Sequence, residues 1–271
     1  MSAPRSPGRS AAHAGGAAPL RAPRPAPHAQ SKSKVILSME LVTGGSVLDE
    51  ILASGCYSEE DSRVIFKQIA GALQYLHKQG IVHRDLKPEN VMLASKDSRT
   101  TVKLTDFGLS KIFETQDPVM FSTVCGTPQY IPPEVLNVFD GNTEGYAGKN
   151  MDMYGLGTLL YILLSGTVPF HDKDEMELFR KIKTGTWEFY DAIWKSVSDE
   201  AKSVTAALME VEPRERMTLE EALAHPWTNT PREPGAEAPR EESPLKDDKE
   251  LFPQISNLRV STGDGPSSPA P

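Results

Sequence analysis

Apolar positions recur along the chain in two rhythms. Val35-Ile36-Leu37-Ser38-Met39-Glu40 is a short β-branched run closed by Thr43-Gly44-Gly45, which predicts a strand followed by a turn. Ser46 to Ala53 predicts a short helix. Ser58-Glu59-Glu60-Asp61 reads as a helix start, a capping serine with acids in the first turn. The helix it opens puts Ile65, Ile69, Ala72, Leu73 and Leu76 on one face, and Gly80 supplies the stop. Short strands are predicted near 91–94 and 101–105, a stretch without sustained period over 106–134, and helices again at 151–165, 174–184, 199–209 and 218–225. The longest apolar run, near Leu156–Leu164, is interrupted by glycine and threonine. It falls short of the ~20 residues of a membrane span, so it predicts a buried helix.

The two ends break this pattern. Residues 1–34 hold six prolines, six Lys or Arg and no acid; residues 231–271 hold eight prolines and few large apolar groups. Neither can bury enough apolar surface to offset the entropy of ordering, so both read as disordered. The organisation expected is a basic Pro/Ala-rich arm at 1–34, one globular piece at 35–228 and an acidic Pro-rich tail at 229–271. The net charge is −8, of which the arm carries +6 and residues 231–271 carry −3, leaving −11 on the residues between. A core of that sign is a poor partner for nucleic acid and a better one for basic peptides. The two cysteines, Cys56 and Cys125, have neither metal nor redox spacing, which suits a reducing compartment, cytoplasmic or nuclear. The arm has the composition of an organelle transit peptide, but its prolines spoil an amphipathic helix, so targeting is not expected.

Within the globular piece, His83-Arg84-Asp85-Leu86-Lys87-Pro88-Glu89-Asn90 follows the most periodic helix and precedes the run Val91-Met92-Leu93. A base, a cation and an oxygen ligand sit within six residues of one turn. Asp106-Phe107-Gly108 follows sixteen residues after Asn90, with a strand hairpin between. Phosphoryl transfer needs a divalent cation on the β- and γ-phosphates, and such hard cations take oxygen ligands. Asn90 and Asp106 supply them. Asp85 has the chemistry to accept a hydroxyl proton, and Lys87 to steady the moving charge.

These motifs resemble the large C-terminal lobe of the eukaryotic protein kinases, over roughly residues 35–228. HRDLKPEN is similar to the family's catalytic loop and Asp106-Phe107-Gly108 to its metal-binding motif. Gly126-Thr127-Pro128 and Pro133-Glu134 resemble the end of the activation segment. Asp152 through Gly157 resembles a helix start of the family, and Arg216 falls where a late arginine pairs with the Pro-Glu glutamate, here Glu134. Lys87 and Thr127 resemble the serine/threonine branch. The phrases MELVTGG, YLHKQGIVHRDLKPENVML, CGTPQYIPPEVL, LLYILLSGTVPF and LAHPW look most like the calcium/calmodulin-dependent and checkpoint-kinase group.

The resemblance implies a mainly α (α+β) fold, a kinase large lobe with a few short strands at the catalytic edge. It implies ATP and Mg2+, protein substrates and an upstream activating kinase. Met39 would guard the rear of the nucleotide pocket, the backbone of Glu40 and Val42 would bond adenine, and Met92 would pack beneath it. Arg84 implies control by phosphorylation of the activation segment, with Thr123 as acceptor. Glu89 reads arginine on peptide substrates in this group, while Ser46 stands where many basic-directed kinases carry glutamate. Neither end of the chain has a basic amphipathic helix of calmodulin-binding type.

The sequence also departs from the family. Residues 1–34 hold no G-x-G-x-x-G and no lysine placed to bind phosphate, Pro132 replaces an alanine, and Tyr154 replaces a tryptophan. The small lobe is therefore expected to be missing, with Val35–Met39 left as an unpaired edge. Two readings follow: a truncated kinase, or a kinase-derived scaffold that binds without transferring phosphate.

Overall fold

The computed structural model describes residues 26–30, 35–107, 109–112, 120–121, 128–139, 141 and 146–231. It opens on an antiparallel pair, β1 (Ala26–Gln30) and β2 (Val35–Ser38), with a register shift between Ala26 and Ala29. Pro27 lies in that shift, where a residue with no N–H costs the ladder nothing. This corrects the expectation of an unpaired edge: β2 has a partner, and that partner lies inside the stretch read as an arm. Alternating hydrophobicity gives no hint of β1, whose five residues are Ala, Pro, His, Ala and Gln.

Helix α1 (Val47–Ser54) starts at Ser46, which forms a reciprocal capping box with Asp49. Helix α2 (Glu59–Lys78) starts at Ser58, whose hydroxyl accepts from the Asp61 amide. Its inward stripe is Ile65, Phe66, Ile69, Leu73 and Leu76, each side chain contributing about 1.5–3 kcal/mol on burial. Gly80, in the left-handed region at φ 72°, lets the chain leave the helix and enter β3 (Ile81–Val82). A 3-10 turn, Pro88–Asn90, leads into β4 (Val91–Leu93), which pairs antiparallel with β5 (Val102–Leu104). The side-chain amide of Gln68 on α2 pins that hairpin, donating to the Thr100 carbonyl and accepting from the Val102 amide.

β6 (Lys111–Ile112) pairs with β3, and β7 (Met120–Phe121) with β8 (Tyr146–Ala147). Helix α3 (Pro133–Phe139) begins inside the stretch that showed no period. The centre is α4 (Gly148–Ser165), packed on α2 and on α7. From Met151 to Ser165 every residue of α4 is buried, as expected for a helix apolar on all sides. No helix among the described residues is long and apolar enough to cross a membrane. Around this core lie α5 (Glu175–Thr184), α6 (Asp191–Trp194), α7 (Asp199–Leu208), α8 (Leu219–Ala224) and α9 (Pro226–Asn229). Among the described residues the result is mostly helical, with four separate two-stranded antiparallel pairs.

Candidate active site

The loop from His83 to Asn90 is held from below by α4. Asp152, 1% exposed near the start of that helix, accepts the His83 amide at 2.9 Å on Oδ2 and the Arg84 amide at 2.8 Å on Oδ1. His77 Nε2, from the last turn of α2, lies 2.7 Å from the same Oδ2. This grip coincides with a strained backbone: Arg84 sits at φ 69°, a region a non-glycine residue enters at a cost. A Cβ on Gly155 would meet the Leu86 Cβ at 3.1 Å, so the glycine lets α4 lie against the loop.

The loop side chains converge. Asn90 Nδ2 donates to the Asp85 carbonyl at 2.8 Å and to Asp85 Oδ2 at 2.9 Å, and Lys87 Nζ lies 3.1 Å from the same Oδ2. All three residues are buried, so the ion pair and the amide fix the carboxylate in one orientation. Thr105 ties in the neighbouring strand end, donating to the Asn90 carbonyl from its amide at 2.9 Å and from its hydroxyl at 3.1 Å. Asp106 is the next residue, exposed and left-handed at φ 59°. The His83 ring meets Phe107 edge-on at 5.3 Å and bonds the Thr105 carbonyl, joining the loop to the Asp106 turn. Among the described residues no cluster of three or more His, Cys, Asp or Glu could hold a metal. The donor set on offer is one amide oxygen and one carboxylate, which suits Mg2+, an ion that keeps waters and phosphates as its other ligands.

Glu89 faces the other side. Both its carboxylate oxygens are buried without a hydrogen bond, with Tyr130 as neighbour. Burial pushes its carboxyl above the ordinary value, against smaller downward pulls from its own backbone amide and then from Lys87. Burial and Glu89 together raise the Tyr130 hydroxyl well above its usual range. Arg84, Asp85, Leu86, Tyr130, Met151 and Gly155 line a small cavity behind the loop.

The remaining predicted positions are more scattered. Met92 is half-buried on β4, cross-strand from Lys103. Glu40 is exposed, Val42 half-buried, and Met39, expected at the rear of a pocket, is 61% exposed. Glu134 meets Arg216 about the start of α3, with the Arg216 guanidinium 4.9 Å over the Tyr154 ring. The Tyr154 replacement thus keeps an aromatic face beneath that cation. Ser46, read as a departure in substrate recognition, is the buried cap of α1. Thr123 and Thr127 lie outside the described residues, as does Gly108. His77, Thr105 and Tyr130 join the site without a signal in the sequence. A histidine in the last turn of an amphipathic helix and a tyrosine two residues after Pro128 carry no signal until α4 and the loop are in place.

Comparison with known proteins agrees with this geometry. The family model described as "Protein kinase domain" matches residues 26–228, so the match includes β1. Calcium/calmodulin-dependent protein kinase type 1 of Caenorhabditis elegans is 42% identical over 196 residues, 72% of this chain and 54% of that protein. The type 1B kinase of Homo sapiens is 42% identical over 198 residues, 73% of this chain and 55% of that protein. The probable serine/threonine-protein kinase fhkC of Dictyostelium discoideum is 42% identical over 198 residues, 73% of this chain and 32% of that protein. The chain thus spans about half the length of the first two and a third of the last. With the loop built on Asp85 and the match running through nearly all of the described residues, the chain belongs to the protein kinase domain family and is similar to its serine/threonine kinases.

Proposed function

We propose that this chain carries the catalytic lobe of a serine/threonine kinase that moves the γ-phosphate of ATP to a protein hydroxyl. The observation that carries this reading is the Asp85 carboxylate, buried and held by Lys87 and Asn90 through one oxygen. Oδ1 is then the oxygen to take the proton of the incoming hydroxyl as its bond to the γ-phosphorus forms and the bond from that phosphorus to the ADP oxygen breaks, releasing ADP. Lys87, 3.1 Å from that carboxylate, lies close enough to balance charge building on the transferred group. Asn90 and Asp106 would hold Mg2+, which when bound neutralises phosphate oxygens. The backbone of Glu40 and Val42 would bond adenine above Met92. Glu89, a buried carboxylate without a hydrogen-bonded partner, suits an arginine or lysine of a basic substrate. Arg84 would meet a phosphate on Thr123, added by an upstream kinase, and Thr127 would contact the substrate.

The second reading is a kinase-derived scaffold that binds a basic peptide without transferring phosphate. Radiolabelled ATP and a basic peptide separate the two. Incorporation that drops about 10²- to 10⁴-fold in Asp85→Asn supports the kinase. Peptide binding with no incorporation by the parent chain supports the scaffold.

A further inference from the structure

The segment from Met39 to Gly45 is anchored at its two ends by different means. At the later end the backbone does the work: the Gly44 amide donates to the Leu93 carbonyl at 3.1 Å, and the Leu93 amide to the Gly45 carbonyl at 2.8 Å. Ser46 then forms a bridge with Met92. At the earlier end Met39 and Leu41 are 61% and 83% exposed, so burial of those side chains does not anchor it. Glu40 instead reaches to the floor of the sheet, where Lys103 Nζ lies 2.8 Å from its Oε2. Lys103 is the cross-strand partner of Met92. The ion pair therefore joins the backbone proposed to bond adenine to the strand beside the residue proposed to lie under it.

We infer that the Lys103–Glu40 pair is a strap that sets the height of the adenine-binding backbone above its floor, and that Lys103 is a positioning residue for nucleotide. This rests on the nucleotide reading above. Lys103 touches no reacting atom; it acts through Glu40. The Lys103 side chain is 18% exposed and that of Glu40 49%, so salt screens the pair in part. A pair of this exposure shifts an equilibrium about two- to fivefold. A purely structural pair would move the melting temperature and leave nucleotide affinity alone.

The test uses the 271-residue chain, its Lys103→Met variant, Glu40→Lys, and the swapped Glu40→Lys/Lys103→Glu. Calorimetric titration with Mg·ATP is expected to show about threefold weaker binding in Lys103→Met, fading toward parity in 1 M salt, with recovery in the swapped double variant. With a basic peptide, KM for ATP rises by the same factor while kcat holds. Equal affinity in Lys103→Met and parent overturns the inference, whatever happens to the melting temperature. A parent chain that binds no Mg·ATP overturns the nucleotide reading and the positioning role with it. Hydrogen exchange at the Leu41, Val42 and Thr43 amides needs no nucleotide and separates these failures. Faster exchange in Lys103→Met supports the strap, and unchanged exchange overturns it.

Discussion

Arg216 closes on Glu134 through two hydrogen bonds, Nη1 to Oε1 at 2.6 Å and Nη2 to Oε2 at 2.8 Å, across 82 residues of chain. The same guanidinium donates to the carbonyls of Glu210 and Asn150, so it knits the start of α3 to α4 and to the turn after α7. Arg216→Ala is expected to cost about 3–5 kcal/mol, because it leaves a sheltered carboxylate without its partner. Arg216→Lys should recover only part of that, since an ammonium cannot fork. Urea denaturation of the three proteins measures both.

Asp152→Ala frees two loop amides and His77 in one step. A stability loss of about 3 kcal/mol is expected from bonds to a buried charge. Phosphate transfer should fall further than stability explains, because Arg84 loses the contact that accompanies its φ of 69°. Comparing transfer at a temperature where both proteins are fully folded checks the second claim.

Glu89 gives a pH signature. Burial raises its folded pKa above the ordinary 4.5, so the folded state holds the proton more tightly than the unfolded chain. The stability this contributes is complete below the unfolded pKa and is lost as pH rises through the folded one. Glu89→Gln is therefore expected to melt higher than the parent at pH 7, by the equivalent of about 1 kcal/mol, with the gap closing below pH 4.5. The same variant should raise KM for an arginine-bearing peptide and leave an arginine-free peptide unchanged. Melting scans from pH 4 to 8, with paired peptide kinetics, test the two halves separately.

Gly44 offers a steric test. A Cβ there would sit 2.5 Å from both the Cβ and the carbonyl oxygen of Leu93. Backbone on the far side cannot swing away, so Gly44→Ala should cost about 1–3 kcal/mol and loosen the pairing with β4. Thermal melts and amide exchange at Leu93 report on it.

Metal removal should stop transfer outright. With Asn90 and Asp106 as the oxygen donors, chelation by EDTA is expected to abolish incorporation and added Mg2+ to restore it. Asp106→Asn should raise the Mg2+ concentration needed for half-maximal rate by tenfold or more. A magnesium titration of incorporation by parent and variant decides this.

Much of this is legible in the sequence itself. The α2 stripe declared itself because Ile65, Ile69, Leu73 and Leu76 repeat at helical spacing behind a serine cap. The order of Asp85, Asn90 and Asp106 marks the candidate loop, since a base, an amide oxygen and a carboxylate are the groups phosphoryl transfer calls for. What the sequence hid was held by tertiary contact. β1 is five small or polar residues that become a strand only beside Val35–Ser38. α3 starts at Pro133, a residue that marks turns as often as helix starts. His77 and Tyr130 acquire a place only when α4 brings Asp152 under the loop and Glu89 is buried. Lys103 looked like any polar residue on an edge strand until Glu40 came within 2.8 Å.

Glu59 draws the far end of the described chain back to its early part. Its carboxylate accepts the Trp227 indole N–H at 2.9 Å, the Ser198 hydroxyl at 2.7 Å and the Ser198 amide at 2.9 Å, while Phe66 meets the Trp227 ring edge-on at 5.4 Å. A protease nick or stop codon ahead of Pro226 would therefore take the indole N–H from Glu59, leaving it Ser198 and Arg63, and open a Trp-sized hole beside Phe66. The smallest piece of this protein that can be expected to fold by itself extends through α9.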